Sequence, residues 1–219
     1  MSIVISIYDI FAFTIPGLLY LFVINEWLRT FNYSKMDLFQ LNLVVQWVAI
    51  MLLAYLVGQV LDFVGLRLWV RLWYRQPDEE RAYKKFQTIR PDEKTNFNPS
   101  QWSILFALIQ REDHVTAERI DRNIAIRILL RNVSFGLLLY SFLQIYLSFQ
   151  NTFSLPNFLC AFFLLAFSVA SLRKSDYYNI LLYTSIFQHA ALYGRNMQEV
   201  MINVRSKPSM KSREKQGKV

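Results

Sequence analysis

The chain has 219 residues, of which 54% are hydrophobic and 16% aromatic, yet it carries a formal charge of +8. Its apolar residues come in blocks rather than at amphipathic intervals, which argues against a single water-soluble domain of this length. With Cys160 as the one cysteine, an intramolecular disulfide and a cysteine-based metal site are both excluded.

The first apolar block covers residues 8–27. The residues before it lack a basic amino-terminal region, and no small-residue cleavage site follows it, so the block reads as a retained helix rather than a signal peptide. Pro16-Gly17 lies inside it. Proline removes one helical hydrogen bond and kinks the axis, so the pair is either a hinge or a fixed kink that admits a neighbouring helix. Residues 26–40 form a short polar connection with Arg29 and Lys35 as its basic residues.

Residues 41–66 are almost wholly apolar, interrupted by Asn42, Gln46, Gln59 and Asp62. A helix of this length exceeds the roughly 30 Å of a bilayer's hydrocarbon core. Ala54, Gly58, Asp62 and Gly65 fall on one stripe of it. Small residues so spaced permit close helix contact in lipid, and the stripe is the expected surface for self-association. Asp62 needs a partner, a proton or a wet cavity; Arg67 is the nearest cation in sequence and Gln59 a neutral alternative. Arg67, Arg71 and Arg75 then alternate with Trp69, Trp73 and Tyr74, the pattern of a helix leaving lipid among anionic headgroups.

Residues 76–131 read as a helical region outside the membrane. Pro77-Asp78-Glu79-Glu80 opens a short charged helix. Asn98-Pro99-Ser100-Gln101 predicts a capped helix start, with Asn98 as N-cap and Gln101 reaching back. A further start is expected at Thr116-Ala117-Glu118, with Ile120, Ile124 and Ile128 along one side and the helix running on into the membrane at Val133. Residues 133–149 and 158–172 are the third and fourth spans, joined by a turn over 150–157 that contains Pro156. Arg173-Lys174 closes the fourth. Ser175-Asp176 is expected to cap a separate amphipathic helix over 175–206, lying on the membrane or packed on the outer helices. Residues 207–219 are basic and without an apolar stripe, as in disordered tails.

These elements predict an all-α, polytopic membrane protein. Its parts are helices 1 and 2 with their basic extension (1–75), a helical region (76–131), a transmembrane hairpin (132–174), an amphipathic helix (175–206) and a tail (207–219). With both termini cytoplasmic, all but two of the 24 Lys and Arg residues, Arg29 and Lys35, lie on the inner side. The positive-inside rule asks for that asymmetry.

No catalytic pattern emerges. His114 and His189 do not share a metal-binding spacing, and Glu112-Asp113-His114 falls at a helix-to-helix turn where polar clusters are ordinary. Asp9 and Asp62 both lie near the cytoplasmic ends, too shallow for an intramembrane aspartyl pair. The reading is therefore a protein that is not an enzyme and needs no cofactor or metal. Arg111, Arg119, Arg122 and Arg127 are candidates for docking a cytosolic protein. Glu118 and Asp121 interleave with them, which makes direct nucleic-acid binding the weaker reading.

Tyr8-Asp9-Ile10-Phe11 followed by Ile15-Pro16-Gly17-Leu18 resembles the start of small bacterial membrane proteins with four spans, some of them encoded in antiphage operons. The four-span layout, the cytosolic helical region between the second and third spans and the basic cytosolic tail are most similar to the membrane subunit of the Kiwa defence system. That resemblance implies an oligomeric inner-membrane sensor that recruits a DNA-binding cytosolic subunit upon infection. The competing expectation is a pore that depolarises the cell, with Asp62, Gln59 and Gln46 near its pathway.

Overall fold

The computed structural model describes residues 7–31, 43–73, 78–90, 98–150 and 153–192; for Ile7, Asp9, Leu43 and 64–73 it describes the helical backbone alone. Among these residues there are α-helices and one 3-10 turn, and no strand. The helices are α1 (Ile7–Thr30), α2 (Leu43–Trp73), α3 (Asp78–Ile89), α4 (Trp102–Glu112), α5 (His114–Phe149) and α6 (Leu155–Leu192). Four of them, α1, α2, α5 and α6, are long and apolar enough to cross a membrane. The 36 residues of α5 and 38 of α6 reach about 54 and 57 Å at 1.5 Å per residue, well beyond a hydrocarbon core.

The chain divides into two compact units, one of residues 1–75 and 121–179, the other of 76–120 and 180–219, so α5 and α6 each contribute to both.

In the first unit, α1 lies against α2 through their smallest residues. A Cβ at Gly17 would overlap the backbone carbonyl of Ala54, and one at Gly58 would overlap the carbonyl of Phe13. Pro16 is fully buried, and Phe13 meets Tyr55 edge-on at 5.9 Å. Pro16-Gly17 thus stands in a close helix crossing, the packing alternative to a hinge. Ala54 and Gly58 are covered by α1 of the same chain, which corrects their assignment to self-association. The side chains of Arg67 and Arg71 and the surroundings of Gly65 lie outside the described residues, as do Arg75 and the tail.

The second unit is built on aromatic contacts. Phe187 of α6 meets Tyr83 of α3 at 5.5 Å and Phe86 at 6.4 Å, and Tyr183 takes Trp102 of α4 edge-on at 5.3 Å. Phe86, Leu105, Ile109, Ile120, Leu182 and Ile186 complete a dry core. The amphipathic stretch after Ser175 therefore packs against the outer helices. The predicted start at Asn98 is present in full: its side chain accepts from the Ser100 amide, and its own N–H donates to Gln101.

Three boundaries differ from expectation. Helix α5 begins at His114, ahead of Thr116, because the Asp113 carboxylate accepts the Thr116 N–H at 3.0 Å and acts as N-cap. Helix α6 begins at Leu155, since Pro156 fits a first helical turn and does not prolong the loop. It then runs through Arg173-Lys174-Ser175-Asp176 without a stop. Ser175 does not cap a new helix there, because its hydroxyl donates to the Arg127 carbonyl of α5.

Candidate functional site

Lipid offers buried polar groups no water, so each must find a partner within the protein. The first unit contains a connected set of such groups. Asp62 of α2 and Arg131 of α5 form an ion pair whose side chains are 18% and 11% exposed. Gln59 is not the carboxylate's partner: it is exposed and donates to the Tyr55 hydroxyl, one turn back on its own helix. The pair ties two helices whose charged residues are 69 positions apart.

Next to Arg131, the carbonyl of Asn132 accepts the Tyr20 hydroxyl at 2.7 Å, which brings α1 into the cluster. The Asn132 side chain is 1% exposed, and its amide has no hydrogen-bond partner among the described residues. One turn before Arg131, Arg127 donates to the Asn179 side chain of α6 at 2.6 Å. Arg127, a docking candidate in the sequence, is thus part-buried and turned toward α6. Arg111, Arg119 and Arg122 are exposed.

From this cluster a polar seam continues between α5 and α6. Ser175 meets Arg127; Ser134 and Ser168 donate to each other's carbonyls at 2.7 and 2.8 Å; Ser141 donates to the Ala161 carbonyl at 3.1 Å; the Ser154 amide donates to the Ser148 carbonyl at 3.1 Å. Each step of seven up α5 meets a step of seven down α6, so the helices are antiparallel and in heptad register. Serine's small volume lets the backbones approach, and its hydroxyl reaches the opposite carbonyl. This seam was missed from sequence, although its signal is there: Ser134, Ser141 and Ser148 recur every seven residues, as do Ser154, Ser168 and Ser175 around Ala161.

Of the other singled-out residues, Gln46 is buried and Gln59 is exposed. Among the described residues no group of three His, Cys, Asp or Glu could hold a metal. Asp113 is a capping carboxylate. The Thr116 hydrogen bonds hold its acid below the ordinary value of 3.8, with a smaller contribution from His189.

Four helices long and apolar enough to cross a bilayer make this a multi-pass helical membrane protein, held together by an ion pair and a serine seam. No family model, curated protein or solved structure matches the chain.

Proposed function

We propose that the protein is a non-enzymatic scaffold of the bacterial inner membrane that oligomerises, senses an event there and recruits a cytosolic protein partner in antiviral defence. The observation that carries this reading is that α5 and α6 serve both units: they hold the polar network of the first, and α5 supplies Ala117 and Ile120, α6 Tyr183, Ile186 and Phe187, to the core of the second. A disturbance that shifts α5 against α6 therefore acts on residues of the outer unit through the same two helices. Arg111, Arg119 and Arg122, all exposed, are the residues for partner docking. The neutralisation of Asp62 by Arg131, together with the exposed position of Gln59, argues against a pore lined by these groups.

The test is purification of the tagged protein in mild detergent from its own operon context, with mass determination of whatever co-elutes. An oligomer carrying a stoichiometric cytosolic protein, lost in Arg111→Glu/Arg119→Glu, is the expected result. A chain that elutes alone and is toxic when overexpressed, with the fold-preserving Asp62→Leu/Arg131→Met relieving the toxicity, would overturn the scaffold reading in favour of the pore.

A further inference from the structure

Along the outer side of α6 runs a groove of about 740 Å³, separate from the Asp62–Arg131 network. Its floor is formed by Phe162, Leu165, Ala166, Val169 and Ala170, residues spaced by three and four so that they share one helix face. Alternation of large and small side chains makes that face concave. Two helical turns, about 12 Å, separate Phe162 from Ala170. At the end of this floor stand Arg173, Lys174 and Tyr177. Both cations are exposed, and neither forms an ion pair among the described residues. Lys174 is not left to wander: its Nζ lies 5.1 Å from the centre of the Tyr177 ring and 5.6 Å from that of Tyr178. Contact with two rings holds the ammonium over the groove's end.

An apolar trough that ends in two unpaired cations matches the two parts of a phospholipid with net negative charge. We propose that this groove is a binding site for an anionic phospholipid, with an acyl chain along Phe162–Ala170 and the phosphate accepting hydrogen bonds from Arg173 and Lys174. The arginine fork and the lysine ammonium suit phosphate oxygens, and basic pockets at the ends of transmembrane helices are where such headgroups are retained. A second copy of the chain fits the face less well. Copies in one membrane share an orientation, so a two-fold contact along this stripe would set Arg173 and Lys174 against their own counterparts. That juxtaposition is repulsive in a medium of low dielectric constant.

The test uses the full chain in neutral detergent, titrated with phosphatidylglycerol or with phosphatidylcholine of the same acyl chains and read by native mass spectrometry. One phosphatidylglycerol per chain is expected to be retained in preference to phosphatidylcholine. Arg173→Gln/Lys174→Gln should weaken it about 30-fold, from the attraction typical of two basic residues near anionic lipid. The phosphatidylcholine signal and the thermal unfolding midpoint should stay unchanged. In Ala166→Trp/Ala170→Trp, which fills the floor but keeps the cations, retention of either lipid should fall. Equal retention of the two lipids by the unaltered chain would overturn the site, as would full phosphatidylglycerol binding by the double-glutamine variant. A dimer that excludes lipid and is dispersed by Phe162→Ala would replace it with a contact between copies.

Discussion

At the scale of single residues, the Asp62–Arg131 pair is the interaction whose loss has the clearest consequence. Its two charges are mostly withdrawn from solvent. Removing one leaves the other without compensation, at a cost of roughly 3–5 kcal/mol, whereas replacing both by apolar groups of similar volume is often close to neutral. Asp62→Ala is therefore expected to lower the thermal unfolding midpoint in detergent sharply, and Asp62→Leu/Arg131→Met to restore most of it. If the double variant melts no higher than the single one, the charge argument fails. Asp113 gives a pH-dependent effect outside the spans. Its acid is depressed by the Thr116 hydrogen bonds, so its contribution to the start of α5 is full above the unfolded value of 3.8. That contribution is lost as pH falls through the lower folded value. Protection factors for amide exchange in the first turn of α5, taken relative to the unfolded chain at the same pH, should fall at that point, and Asp113→Ala should lower them at neutral pH.

At the scale of elements, the α5–α6 hairpin depends on residues that sequence analysis passes over as ordinary serines. A hydrogen bond between transmembrane helices contributes about 0.6 kcal/mol on average, so Ser134→Ala should cost little. Ser134→Leu is a different change. It removes the exchange with Ser168 and puts a branched side chain where the residue is wholly buried and two backbones meet. Thermal unfolding in detergent should drop far more for leucine than for alanine. Equal losses would mean that the hydroxyl, and not the close approach, holds the hairpin. Gly17 and Gly58 make the same point for α1 and α2, because their hydrogens face carbonyl groups at positions with no room for a methyl.

At the scale of the whole molecule, four spans divide the connecting segments between two sides. Residue 31, after α1, and residue 150, after α5, should share one side; residue 112, between α4 and α5, should lie on the other. With Cys160 replaced by serine, Phe31→Cys and Gln150→Cys are expected to react with an impermeant maleimide in intact cells. Glu112→Cys should react only after lysis. Labelling of all three from outside would contradict a four-span layout with the basic residues inside.

The all-helical class, the four apolar helices and the capped start at Asn98 were legible in the sequence, because each rests on local physics: length and apolarity of a run, or a side chain reaching its own backbone. The uninterrupted course of α6 was not, since Ser175 is a good cap by composition and is diverted only by the Arg127 carbonyl of another helix. The same reason hid the partner of Asp62. Sequence proximity offered Arg67, which lies 5 positions away, and gave no sign of Arg131, 69 positions away, which the fold brings to the carboxylate. Ala54 and Gly58 marked a helix contact by their size, yet size cannot say whether the partner is a second copy or, as here, α1. Composition and local capping settle which stretches are helices and which of them suit a bilayer. Which buried polar and small residues face one another emerges only in the folded chain, because those pairings depend on the register and side of approach of helices far apart in sequence.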